Sequence, residues 1–236
     1  MKDLQDQKYF VVGGSSGIGL GIVHRLVERG ADVTVFSRHK SDELGSVRHE
    51  EVDISKPLDD SVPIPDSLAG IAYCPGTIRL GSFRQLSDDD YLEDFTVNVL
   101  GGVRIVRAAL KSLRKDGGAS LVFFSTVAVA TGLSFHASVS ASKGAVEGLA
   151  RTLAAELAGK GVRANVIAPS MTDTPLADKF LSSEKKREAA AGRHPLGRVG
   201  TVDDIASMAV FLLSPESGWI TGQVIGVDGG LGSVRP

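Results

Sequence analysis

Short apolar runs alternate along this chain with stretches whose apolar positions recur every three to four residues. The first run, Tyr9 to Val12, enters a glycine-rich turn, and Ile22, Val23, Leu26 and Val27 then follow at helical spacing. Gly30 marks the end of that helix, and Asp32–Phe36 reads as a second strand. Further strands are expected over Val47–Val52, Gly70–Cys74, Ala119–Phe124 and Val162–Ala168, with a last one within Trp219–Val227. Helices are expected from Asp88, whose acidic neighbours suit a helix N-terminus, from about Ser138 to Gly159, and after Thr201. At the last of these Thr201 stands as N-cap with Asp204 at N3. The alternation predicts an α/β fold, a Rossmann-like doubly wound parallel sheet of about seven strands flanked by helices. With no repeat, low-complexity stretch or linker, residues 1–236 read as a single domain. One crossover departs from the pattern. Pro57, Pro63 and Pro65 forbid a long helix between Ser55 and Gly70, so one face of the sheet is expected to be less covered.

The glycine-rich turn carries the first chemistry. Gly13, Ser15, Ser16, Gly17, Ile18 and Gly19 join a strand to a helix, so their backbone N–H groups and the positive end of the helix dipole converge where a pyrophosphate would sit. Gly13 permits the tight turn, Gly17 a close approach of ligand, and Gly19 close packing of the helix. Past the second strand an acidic residue would bind the two ribose hydroxyls of NAD, but this chain has Ser37 followed by Arg38 and His39. A hydroxyl and a guanidinium suit a 2′-phosphate, which favours NADP(H) over NAD(H).

The order Gly13-x-x-x-Gly17-x-Gly19, Asp53, Asn98-Val-Leu-Gly101, Lys143, Pro169 with Thr174, and Asp228-Gly-Gly resembles the short-chain dehydrogenase/reductase family over nearly the whole chain. The resemblance implies hydride transfer between a nicotinamide cofactor and a carbonyl or alcohol. It implies that Asp53 and Ile54 meet the adenine, Gly76 the adenosine ribose, and Pro169, Ile167 and Thr174 the nicotinamide carboxamide and pyrophosphate. It further implies that Asn98 holds a water leading to Lys143, and that Lys143 bonds the nicotinamide ribose. Thr126 takes the position of the family's substrate-binding serine, with Ser125 as its neighbouring candidate. Residues 174–198 take the position of the substrate lid, and a homo-oligomer, dimer or tetramer, is implied.

Three departures are visible. The family's Asn-Asn-Ala-Gly is Tyr73-Cys74-Pro75-Gly76, the glycine after Pro169 is Ser170, and four residues before Lys143, where the family has its proton-donating tyrosine, stands Val139. Three readings follow for that last position. Another group could supply the proton: His136, Ser138, Ser140, a substrate hydroxyl or a lysine-linked water. The protein could instead bind NADP(H) without turnover, as a regulatory or scaffold protein. Or it could act on an imine or an activated double bond, where the tyrosine is dispensable.

Composition narrows the setting. Of 236 residues 42% are hydrophobic and 23% charged, an ordinary balance for a folded domain, and the net charge of −2 leaves no electrostatic footprint for nucleic acid. No run approaches membrane-spanning length, no apolar leader precedes the first strand, and the lone Cys74 has no partner for a disulfide. A cytoplasmic protein with no bound metal, acting on a small molecule, is the expectation; Cys74 reads as a small buried filler.

Overall fold

The computed structural model describes residues 3–59, 61–113 and 118–235. Within them seven strands pair side by side, all parallel: β1 (Lys8–Val12), β2 (Asp32–Ser37), β3 (Arg48–Glu51), β4 (Gly70–Tyr73), β5 (Ala119–Phe124), β6 (Val162–Pro169) and β7 (Val224–Val227), in the order β3-β2-β1-β4-β5-β6-β7. The helices are α1 (Gly17–Glu28), α2 (Asp88–Phe95), α3 (Gly101–Ala109), α4 (Ala128–Thr131), α5 (Ala137–Leu157), α6 (Glu184–Ala191) and α7 (Val202–Leu213). None of the described helices is long and apolar enough to cross a membrane.

The register runs Val12 beside Phe36 on one side and Tyr73 on the other, then Tyr73 beside Phe123 and Phe123 beside Val166. The carboxyl ends of the central strands therefore finish level. Strand order reverses between β1 and β4, and ligands of open α/β sheets bind at that switch point.

Side chains alternate between two cores, as a pleated strand requires. Phe10, Val12, Ile71, Tyr73, Leu121 and Phe123 pack with Ile105 and Val106 of α3 and with Val146 and Ala150 of α5. Tyr9, Val11, Val35, Ala72 and Val122 pack on the other face with Ile22, Val23 and Leu26 of α1 and with Ala206, Ala209 and Val210 of α7. The helix after Thr201 begins as its residues predict, with reciprocal Thr201–Asp204 capping.

The proline-rich crossover contains no helix among its described residues. The face is not left bare, however, because Val52, Leu58, Val62 and Ile64 pack onto the first core from the loop itself. The last strand is also shorter than the apolar run suggests. Asn165 of β6 donates to the carbonyl of Ile220 at 2.8 Å and accepts from the N–H of Gln223 at 3.1 Å, and Gly222 has φ of 70°. Backbone bonds continue beside them, from Val166 N–H to the Gln223 carbonyl at 2.8 Å and from Gly222 N–H to the Ala164 carbonyl at 2.7 Å, but the left-handed Gly222 breaks the extended run, so β7 starts only at Val224, and Trp219 is 100% exposed.

Candidate active site

A cleft of about 630 Å³ opens over the carboxyl ends of β1, β2 and β4. Gly13, Ser15, Ser16, Gly17, Ile18 and Gly19 line its floor. Gly13 and Gly17 have φ of 73° and 51°, a region that side-chain-bearing residues rarely adopt. A Cβ on Gly19 would stand 2.2 Å from the Gly13 carbonyl oxygen, so it is the turn itself that the helix approaches so closely. Ser16, the N-cap of α1, makes no side-chain capping bond, and the first turn holds no acidic residue. Its N–H groups are thus left for an anion. Thr174 overhangs this helix end, its Cβ 3.4 Å from where a Gly17 Cβ would lie. The cradle fits a pyrophosphate.

One end of the cleft is lined by Ser37, Arg38, His39, Asp53 and Ile54. The Ser37 hydroxyl donates to the His39 carbonyl at 2.9 Å and accepts from His49 Nε2, also 2.9 Å away. Its donor is therefore committed, and the exposed guanidinium of Arg38 is the group presented to the cleft. Asp53 is held ionised, its carboxyl lowered by the hydroxyl and N–H of Ser55. Arg104 of α3 donates to the Ile54 carbonyl at 2.8 Å and so fixes the backbone there.

At the other end Lys143, buried on α5, donates to the carbonyl of Phe124 at 2.9 Å, at the end of β5. Burial pushes its ammonium down to about 8, against the attraction of Asp94. Gly76 borders both cleft and lysine: a Cβ on it would stand 3.1 Å from Lys143 Nζ and 3.4 Å from Asn98 Oδ1. A side chain there would displace the lysine. Asn98 lies in a π turn, Thr96–Leu100, between α2 and α3, and its Nδ2 donates to Thr77 Oγ1 at 3.1 Å and Ser142 Oγ at 2.9 Å. Cys74 lines the cleft as well, its thiol pushed up to about 12 by burial.

Asn98, Lys143 and Gly76 thus come together. The other candidates divide. Ser125 gives its proton to Glu147 of α5 at 2.7 Å, so it is not a free donor, whereas Thr126 Oγ1 accepts from the Ala128 N–H at 3.3 Å and keeps its own proton. His136 stands at the N-cap position of α5 without a side-chain capping bond, and its Nδ1 bonds the Ser134 carbonyl at 2.7 Å. Seven residues before Lys143 on one helix, it lies about 10 Å from it along the axis. Ser138 is buried and bonded to Asp94 at 2.6 Å. Pro169 closes β6, its carbonyl accepting from Val127 N–H at 3.0 Å. Ser170 bonds His194 Nε2 at 2.8 Å, and His194 Nδ1 bonds the Ala190 carbonyl at 2.8 Å, so the segment 174–198 is tied back to the end of β6.

Asp94, Thr77, Glu147 and His194 escape a reading of the sequence. Asp94 is one helical turn from Asn98, which places it on the same face, but its partners Thr77 and Ser138 lie 17 and 44 residues away.

A family model described as "Enoyl-(Acyl carrier protein) reductase" matches residues 12–232. The chain is 29% identical over 251 residues to 2-(S)-hydroxypropyl-CoM dehydrogenase 3 of Xanthobacter autotrophicus, covering 98% of each. It is 31% identical over 245 residues to a 3-oxoacyl-acyl-carrier-protein reductase of Chlamydia muridarum, covering 97% of this chain and 98% of that one. Among solved structures, the ligand-free aldohexose dehydrogenase of Thermoplasma acidophilum superposes with a TM-score of 0.90 at 29% identity, over 100% of this chain and 97% of that one.

Proposed function

The chain belongs to the short-chain dehydrogenase/reductase family, whose members bind a nicotinamide cofactor, and on that footing we propose that it is an NADP(H)-dependent oxidoreductase. It reduces a carbonyl, or oxidises an alcohol, of a small molecule. The observation that carries the reading is a cleft with a phosphate cradle at its centre, Arg38 at one end and Gly76 backed by Lys143 at the other. When bound, the nicotinamide supplies the hydride to carbon or accepts it.

The chain's own residues do the rest. The uncapped N-terminus of α1 holds the pyrophosphate, and Arg38 pairs with the 2′-phosphate. Thr126 donates its free proton to the substrate oxygen. Proton supply falls to Lys143. An ammonium that burial brings to about 8 gives up a proton near neutrality, which an ordinary lysine does not. Lys143 Nζ and Asn98 Oδ1 converge on Gly76, 3.1 Å and 3.4 Å from where its Cβ would lie, and on this reading a water or a substrate hydroxyl relays the lysine's proton to the substrate oxygen. His136, remote and bonded to a backbone carbonyl, has no part in it. The protein works as a homo-oligomer in the cytoplasm.

A second reading rests on Val139, four residues before Lys143 and unable to donate a proton. On that reading the protein binds NADP(H) without turnover. Losing a general acid costs about 10²–10⁴-fold, which slows hydride transfer without forbidding it. NADPH oxidation over a panel of ketones, β-keto thioesters and quinones, with the natural protein and with Val139→Tyr, separates the two. Turnover by the natural protein supports the oxidoreductase. Tight NADPH binding with turnover confined to the variant supports the silent binder.

A further inference from the structure

A carboxylate lies fully buried beside the lysine site. Asp94, on α2, is 0% exposed, and both its oxygens accept from hydroxyls: Oδ1 from Thr77 at 2.5 Å, Oδ2 from Ser138 at 2.6 Å. Burying a carboxylate is costly, and hydroxyl donors offset only part of the cost.

The hydrogen-bond directions around it form a chain with one sense. The backbone N–H of Thr77 can only donate, and it points at Asn98 Oδ1 from 3.3 Å. The amide of Asn98 is therefore turned with Nδ2 toward Thr77 Oγ1 and Ser142 Oγ. Both hydroxyls must accept there, so each needs another acceptor for its own proton. Ser142 gives its proton to the Val139 carbonyl at 3.1 Å, and Thr77 gives its proton to Asp94. Both Asp94 oxygens accept from hydroxyls, so neither donates back to reverse this sense. The outcome is that Asn98 Oδ1 stays on the side of Gly76 and Lys143: it lies 3.4 Å, and Lys143 Nζ 3.1 Å, from the point a Gly76 Cβ would occupy.

We propose that Asp94 is a positioning residue of this site: by taking the Thr77 hydroxyl proton it keeps Thr77 Oγ1 an acceptor and so holds the Asn98 amide in the orientation the Thr77 N–H sets, and it supplies the negative charge that Lys143 faces. The proposal rests on the reading of Lys143 as the proton source. The ionisable groups facing Lys143 are Asp94 from α2, whose charge favours the ammonium, and Cys74 from the end of β4, whose thiol burial keeps neutral up to about 12. Asp94 in turn faces Arg79 of the loop before α2, whose guanidinium pairs with Asp90 and Glu93. Removing the Asp94 charge therefore lowers the pH at which Lys143 loses its proton.

The test reads that pH without needing turnover. The stability difference between a protein and its Lys143→Met counterpart, from urea midpoints across pH, bends where Lys143 titrates in the folded state. Asp94→Asn moves the bend down by about half a pH unit or more. Thr77→Val keeps the Asp94 charge, so the bend stays, while kcat falls about tenfold with KM little changed; Thr77→Ser restores it. Should Asp94→Asn fail to fold, the Thr77 pair still carries the test through kcat or, if no carbonyl is reduced, through NADPH affinity. An unmoved bend in a folded Asp94→Asn protein, or a Thr77→Val protein indistinguishable from wild type, overturns the proposal. Absence of turnover in the wild type overturns the functional reading instead, and leaves the displaced bend to decide on Asp94.

Discussion

The phenolic oxygen of Tyr73 donates to the backbone carbonyl of Val97 at 2.5 Å, inside the π turn that carries Asn98. In that turn Gly101 N–H bonds the Thr96 carbonyl five residues back, so the ladder is locally out of step. The ring reaches Val97 only because position 101 has no side chain: a Cβ there would lie 2.0 Å from Tyr73 Oη and 2.8 Å from Ile54. The tyrosine that replaces a family asparagine on β4 thus serves the helix behind it, and burial drives its phenol far above the ordinary range.

Removing that hydroxyl leaves a buried carbonyl with one donor fewer. Tyr73→Phe is expected to cost about 1–3 kcal/mol in urea unfolding. Gly101→Ala is expected to cost about 1–3 kcal/mol by overpacking, and less of that in the Tyr73→Phe background, where the closest clash is gone. Independent, additive effects of the two substitutions in a double-mutant cycle would contradict this account.

Much of the cleft was legible in the chain because its parts are local. Gly13, Gly17 and Gly19 lie within one strand–turn–helix unit, and the Thr201–Asp204 cap spans three residues, so spacing alone carries their meaning. The prolines after Ser55 correctly exclude a helix, but which side chains cover the sheet in its place depends on how the loop lies, and Leu58, Val62 and Ile64 carry no periodic signal. The engagement of Ser125 is hidden for the same reason: Glu147, 22 residues on, takes its proton only after α5 packs on β5. The Asp94 network is the extreme case. Its members come from a loop and two helices, and no local pattern joins them.

Arg38 is the group that should decide between the two cofactors. Its guanidinium is exposed at the cleft edge, while the Ser37 hydroxyl is engaged by His39 and His49. Charge-assisted bonds to a phosphate are worth about 1.5–3 kcal/mol, so Arg38→Asp is expected to weaken NADPH binding roughly 10- to 100-fold. NADH affinity should hold or improve. Fluorescence titrations at two salt concentrations check this, since the wild-type preference for NADPH should shrink as salt screens the pair. Equal affinities for both cofactors in the wild type would remove Arg38 from the role.

The tie between Ser170 and His194 predicts a local effect. His194 is buried, bonded at Nε2 to Ser170 and at Nδ1 to Ala190. Arg187 holds Asp173 nearby, at 2.7 Å, and that pair lowers the aspartate's carboxyl. His194→Ala is expected to raise amide exchange across Glu184–Ala191 while leaving the amides of β4 and β5 protected. Global stability should fall by about 1–3 kcal/mol, as for loss of a buried hydrogen-bonding group. Unchanged exchange in Glu184–Ala191 would mean that the small apolar contacts of Ala177, Leu181 and Ala190 suffice to hold the segment.

Lys143 gives the sharpest pH prediction, and its sign is opposite to that of a lysine gaining a partner. Burial lowers its ionisation from the ordinary 10.5 to about 8 in the folded protein. Below about 8 both folded and unfolded chains carry the proton, and the folded state bears the full cost of a buried charge. Between about 8 and the unfolded value the unfolded chain binds more protons, so the Lys143 contribution makes the protein more stable as pH rises. The total is about 3 kcal/mol at most. Cys74 works the other way above its unfolded range, because its thiol is held protonated to about 12 in the folded state. Comparing wild type with Lys143→Met at each pH isolates the lysine from the thiol. Lys143→Met should be the more stable protein at about pH 7, should lose that advantage toward about pH 10, and should be unable to reduce any carbonyl the wild type accepts. A lysine whose advantage did not vary with pH would be charged throughout, and it could then hold a ribose but not release a proton near neutrality.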